Sequence, residues 1–165
     1  MRKIRLIYLL LASIILLNAC DKEAIDTEKP SIDLSIEGAF PLNCDTLYFG
    51  ESFVLKMRFA DNVELGSNSA FSLDIHNNFD HHTHSTEVTA CSLDSVKEAV
   101  NPYLYIEIFD LPSGQSEYEI EQSITLPSSD ENGLFDEGDY HFFISLSDKE
   151  GWSTQKGLSI KILHP

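Results

Sequence analysis

Tyr140-His141-Phe142-Phe143-Ile144-Ser145-Leu146 is the stretch that points most directly to the fold class. Tyr140, Phe142, Ile144 and Leu146 recur at every second position, the period of a half-buried β-strand, so they share the core face. His141 then projects from the opposite face. The same alternation recurs upstream and downstream. Ser31–Glu37 carries Ile32, Leu34 and Ile36 inward; Leu47–Arg58 places Phe49, Phe53, Leu55 and Met57 together; Phe71–His76 aligns Phe71, Leu73 and Ile75. Tyr103–Phe109, Tyr118–Leu126 and Leu158–Leu163 complete a set of seven strands. Turn signals such as Pro112-Ser113-Gly114 and Asn132-Gly133 separate them. No helical stripe competes, although Ser95–Val100 is compatible with one helical turn. The reading is all-β: a single-domain immunoglobulin-like β-sandwich of about seven strands. A small barrel satisfies the same periodicity.

The N-terminus has a different character. Arg2, Lys3 and Arg5 precede the apolar run Leu6–Leu17, which is shorter than the ~20 residues needed to span a bilayer. A basic start and a short apolar core make a secretory signal. It ends in Leu17-Asn18-Ala19-Cys20, which resembles a bacterial lipobox, with Asn18 departing from the usual residue type at its position. The expected organisation is a lipoprotein signal peptide over 1–19, a lipidated Cys20 with a flexible tether over 20–30, and the sandwich domain over 31–165. A plain signal peptide followed by a coincidental cysteine is the alternative. Acyl chains on Cys20 would anchor the protein to a membrane, and the expected location is the outer membrane, on either face.

Charge narrows the partners. Against 27 Asp+Glu stand 11 Lys+Arg, a formal net charge of −16. Three of the basic residues and none of the acidic ones lie in 1–19, so the chain from Cys20 onward carries −19. That balance excludes a nucleic-acid binder that works by phosphate neutralisation. None of the 8 glycines falls in a phosphate-cradling pattern.

With Cys20 committed to lipid, Cys44 and Cys91 form an even pair in an oxidising compartment, and a disulfide is expected. On the chain-entropy picture it would contribute about 3–4 kcal/mol. The competing reading makes them soft metal ligands, but neither sits in a Cys-x-x-Cys or Cys-x-His pairing.

The chemically distinctive segment is Asp74-Ile75-His76-Asn77-Asn78-Phe79-Asp80-His81-His82-Thr83-His84, which holds four of the six histidines. In an extended backbone Asp74, His76, Asn78, Asp80, His82 and His84 share one side. His82 and His84 would then sit about 7 Å apart. Imidazole and carboxylate are ligands of zinc, copper and other first-row ions. The candidate metal ligands are His76, Asp80, His81, His82, His84 and, from the last hydrophobic run but one, His141. Asp80 could instead orient a histidine. Asn77-Asn78 invites a turn, which would fold the ligand set into a cage. The alternative is a solvated His-rich loop. Calcium ranks below a transition metal: Ser128–Asp139 and Asp61-Asn62-Val63-Glu64 are acidic turns without an EF-hand pattern. No catalytic signature is present, and the expectation is a non-enzyme.

Three phrases resemble an uncharacterised family of Bacteroides-type lipoproteins: Cys44–Gly50, Ile75–His84 (I-H-N-N-F-D-H-H-T-H) and Gly138–Phe142. Asp26–Ile32 and Ser147–Ser153 are similar to the first strand's approach and the last turn of bacterial Ig-like repeats. The resemblance implies an envelope lipoprotein with an Ig-like fold and supplies no catalytic residues. Two functions follow: a metal-binding lipoprotein, or a structural or adhesive module that binds an envelope protein or glycan without metal.

Overall fold

The computed structural model describes residues 25–65 and 70–165. The segment expected to be a signal peptide, Cys20 and the first part of the expected tether lie outside the described residues. Ten strands follow in order: β1 (Ser31–Asp33), β2 (Thr46–Tyr48), β3 (Ser52–Ala60), β4 (Ala70–Asn77), β5 (Tyr105–Asp110), β6 (Glu117–Thr125), β7 (Ser129–Asp130), β8 (Gly133–Leu134), β9 (Gly138–Ser147) and β10 (Ser153–Leu163). One sheet has the order β1-β3-β6 and the other β2-β10-β9-β4-β5, with β7-β8 a small separate hairpin. In immunoglobulin lettering these are sheets A-B-E and A′-G-F-C-C′. All pairings are antiparallel except β2 with β10.

The alternation predicted for β9 holds: Tyr140, Phe142, Ile144 and Leu146 are fully buried. They meet Phe71, Leu73 and Ile75 of β4 and face Leu55, Met57 and Phe59 of β3 across the sandwich. Three details differ from the expected seven strands. The run Leu47–Arg58 is two strands, because Gly50 (φ +83°) turns the chain from one sheet to the other. Glu131-Asn132 closes the extra β7-β8 hairpin, with Gly133 of the expected turn beginning β8. Ser95–Val100 forms no helical turn, since the Lys97 and Val100 amides donate to Phe79 O and Asp136 Oδ2 rather than to helical carbonyls.

Between β4 and β5 runs a connection without strand or helix, residues 78–104. It crosses the outer face of the five-stranded sheet and is fastened at several points. The Thr86 amide donates to Gly157 O, and the Gly157 amide to Thr86 Oγ1. The Asp94 amide donates to Asp139 Oδ2, and the Val100 and Asn101 amides to Asp136 Oδ2. Cys91 joins Cys44 in a disulfide, as expected from the cysteine count. This bond ties the connection to the segment before β2, and it is not the inter-sheet bridge of antibody domains.

Tyr140 fixes the start of β9. Its hydroxyl donates to Asp136 O at 2.6 Å and accepts from the Tyr103 amide at 3.2 Å, in the manner of a tyrosine corner. Burial pushes its phenol well above the usual range. Replacing Tyr140 by Phe keeps the ring's packing but orphans a part-buried carbonyl and a buried amide. Urea unfolding should show a loss of about 1–3 kcal/mol. An unchanged midpoint would mean that the hydroxyl is not part of what holds the corner.

Candidate metal centre

Strand register brings the first two histidines together. His76 on β4 and His141 on β9 are directly opposed partners, both one residue out of phase with the core positions beside them. They therefore project from the outer face of the sheet as a cross-strand pair. β4 ends at Asn77, and the chain then turns: the His81 amide donates to Asn78 O, with His81 in the left-handed region (φ +60°). Phe79 anchors this turn by packing edge-on against Tyr140, ring centres 5.4 Å apart. The turn lays the following residues back over the sheet, so that His82 and His84 come down on the His76–His141 pair.

Among the described residues, His76, His82, His84 and His141 each offer one nitrogen, and these four atoms lie within 4.8 Å of one another. The ring centres are separated by 5.6, 5.1, 5.3, 4.9, 4.9 and 5.1 Å over the six pairs. Four points with six nearly equal separations form a tetrahedron; a square would have diagonals about 1.4 times its sides. Edges of 4.9–5.6 Å place the vertices roughly 3.0–3.4 Å from the centre. An imidazole bound through one nitrogen at about 2.0–2.1 Å has its ring centre roughly 3.2 Å from the ion. The spacing fits a tetrahedral ion.

Hydrogen bonds on the outer side of three rings decide which nitrogen each turns toward the others. His76 Nδ1 bonds Asp74 Oδ1 at 2.8 Å, leaving Nε2. His82 Nδ1 bonds Asp80 Oδ1 at 2.5 Å, again leaving Nε2. His141 Nε2 donates to the His82 carbonyl at 3.0 Å, leaving Nδ1, which is buried and has no partner. His84 Nδ1 lies 3.1 Å from His76 Nε2, close to the separation of about 3.3 Å expected for two nitrogens on one tetrahedral ion. Carboxylates and carbonyls that hold the far side of a ligating imidazole fix its tautomer and orientation.

The electrostatics point the same way. Burial, opposed in part by the His82 carbonyl and reinforced by the other three imidazoles, lowers the His141 pKa to about 4. His141 is thus neutral, the state a metal ligand requires. The hydrogen bond from His82 holds the exposed Asp80 carboxyl below its ordinary value, so it stays an acceptor.

Of the six candidate ligands, four converge. Asp80 is placed behind His82 rather than in the cluster. His81 also lies outside it: the left-handed turn sends its ring elsewhere, with Nε2 buried and unpartnered. The extended spacing that would align 74 through 84 on one side breaks at Asn78, which is buried against β9 through its amide bond to Asp139 O. The acidic Ser128–Asp139 loop is occupied otherwise. Asp136 and Asp139 accept the backbone of the long connection, Asp139 also pairs with Lys161, and Asp130 accepts the Asn132 amide.

Two supporting residues are not among the candidate ligands. Strand alternation aligns Asp74 with His76, and its part is to hold His76 Nδ1. Gly157 sits on β10 where the connection crosses, and a Cβ there would lie 2.0 Å from the His84 carbonyl oxygen. Only a glycine lets His84 approach the sheet this closely.

Residues 18–163 match the family described as a domain of unknown function (DUF4625), and the chain belongs to that family. No curated protein matches it. Among solved structures, a superoxide reductase (neelaredoxin) from Ignicoccus hospitalis aligns with 83% of this chain and 82% of its own. The identity is 9% and the TM-score 0.34, a likeness too slight to bear on fold or chemistry.

Replacing Gly157 by Ala forces the His84 backbone off the sheet. In nitrogen-detected imidazole spectra the His84 signals should move, while His76 and His82, held by Asp74 and Asp80, keep their tautomers. Stability should fall by about 1–3 kcal/mol from overpacking. Unmoved His84 signals would show that the close approach does not position it.

Proposed function

We propose that this DUF4625 domain is a binding module for a transition-metal ion, held by His76, His82, His84 and His141, with zinc the ion its geometry suits best. The observation that carries the reading is the convergence of four imidazole nitrogens within 4.8 Å of one another, of which His141 Nδ1 is buried without a partner. An apo cluster of four imidazoles at this spacing leaves that nitrogen desolvated and unsatisfied, which is costly. A bound cation satisfies it and the other three together. Near-equal ring separations favour tetrahedral Zn²⁺ over square-planar Cu²⁺ or Ni²⁺. Four protein ligands fill a tetrahedral ion's coordination, the mark of storage, transfer or structural sites rather than hydrolytic ones. The domain is accordingly read as a non-enzyme.

The same proposal places the domain in the cell envelope, anchored through lipid on Cys20. Support comes from the basic-apolar N-terminus ending at Leu17-Asn18-Ala19-Cys20, and from the Cys44–Cys91 disulfide, which suits an oxidising compartment. A second reading, a module that docks an envelope protein or glycan, draws on Leu104, Ile106 and Ile108. These are more than 60% exposed, Ile106 and Ile108 on edge strand β5 and Leu104 just before it.

Calorimetric titration of metal-free, untagged protein with Zn²⁺ tests the first reading. One ion should bind per chain with micromolar or tighter affinity, and replacing both His82 and His84 by Ala should weaken it at least a hundredfold. Millimolar binding in both proteins would overturn it. Under the second reading, metal removal leaves the melting temperature unchanged.

A further inference from the structure

At the far end of β9 from His141, one oxygen each from Asp26, Asp148 and Glu150 lie within 4.8 Å of one another. Asp148 follows the last residue of β9, seven residues beyond His141, about 23 Å along an extended strand. This group is therefore separate from the histidines. It also unites two sequence phrases that are far apart in the chain: the approach to β1, and the turn between β9 and β10.

Acidic clusters are commonly solvated, but two members of this one are not. Asp26 is 5% exposed and Asp148 2%. In each, Oδ1 accepts a nearby amide, from Glu28 (3.0 Å) and Trp152 (2.8 Å) respectively. In each, Oδ2 is shut off from solvent and has no hydrogen-bond partner. Two carboxylates this close and this desolvated repel strongly unless a positive charge stands between them. Lys149, which lies between Asp148 and Glu150 in sequence, pairs with Glu64 at 3.4 Å. Glu150 is exposed at the rim, where it can close over an ion.

We propose that Asp26, Asp148 and Glu150 form a binding site for a hard divalent cation of the calcium type. Oxygen-only ligands select against zinc and copper, and calcium accepts irregular carboxylate sets completed by carbonyls and water. The ion would clasp the segment leading into β1 to the β9–β10 turn, two parts of the chain that no strand pairing joins. The site is independent of the histidine proposal.

The test uses the full chain stripped with EDTA. Trp152, the single tryptophan, neighbours Asp148 and serves as antenna for Tb³⁺. Excitation of Trp152 should produce terbium emission that Ca²⁺ displaces. Calcium at about a hundredfold above Kd should raise the melting temperature by about 5–10 °C. Both responses should vanish when Asp26 and Asp148 are replaced by Asn, and persist when His82 and His84 are replaced by Ala. Should the double Asn variant not fold, Glu150→Gln, at an exposed position, should weaken Ca²⁺ at least tenfold. No terbium emission with no calcium-dependent melting shift overturns the site, as does an unaltered response in these carboxylate variants.

Discussion

The outer face of a sandwich sheet normally meets water, so a histidine there has its polar atoms solvated. His141 does not: it points away from the core yet is 1% exposed, because the 78–104 connection lies on top of it. That burial is the constraint around which the site is organised. The same segment that excludes water from His141 supplies the His82 carbonyl that engages its Nε2. It also supplies the rings of His82 and His84 that converge on its Nδ1 side. A desolvated imidazole held neutral, with one lone pair aimed at three others, is a donor set prepared before any ion arrives.

Preparation of that kind requires the covering segment to hold still without strands of its own. The structure achieves this by fastening it to elements already fixed by the core. Phe79 is buried against Tyr140, the Cys44–Cys91 bond secures its middle, and its amides are accepted by Asp139 on the strand that carries His141 and by Asp136 just before it. Gly157 provides the gap in the sheet surface that His84 needs. Acidic residues that read as calcium-loop candidates therefore act as clamps on the segment that covers the histidine cluster. The carboxylates left without such employment, Asp26 and Asp148, lie at the other pole.

Much of this was legible in the chain because period-2 alternation is a local property. Tyr140–Leu146 and Phe71–His76 assign their core faces unaided, and with them the outward direction of His141 and His76. The His-rich segment likewise announces its chemistry by composition. What was not legible depends on non-local pairing. Nothing in the spacing tells that His76 and His141 share a register position, since 65 residues separate them and register emerges only when β4 pairs with β9. The turn that follows β4, closed by the His81 amide on Asn78 O with His81 in left-handed geometry, overrides strand alternation and so reassigns Asp80 and His81. Gly157 is silent in sequence for the same reason: its role exists only against His84, from another part of the chain. Cys44 and Cys91 were readable by parity alone, but the consequence of joining them was not.

The central claim is that four histidines hold one ion tetrahedrally, and X-ray absorption at the zinc edge of the zinc-loaded protein addresses it most directly. The account predicts four nitrogen neighbours at about 2.0–2.1 Å, the outer-shell scattering of four imidazoles, and no sulfur. A shell of six longer oxygen or nitrogen neighbours, or scattering from two imidazoles or fewer, would contradict it.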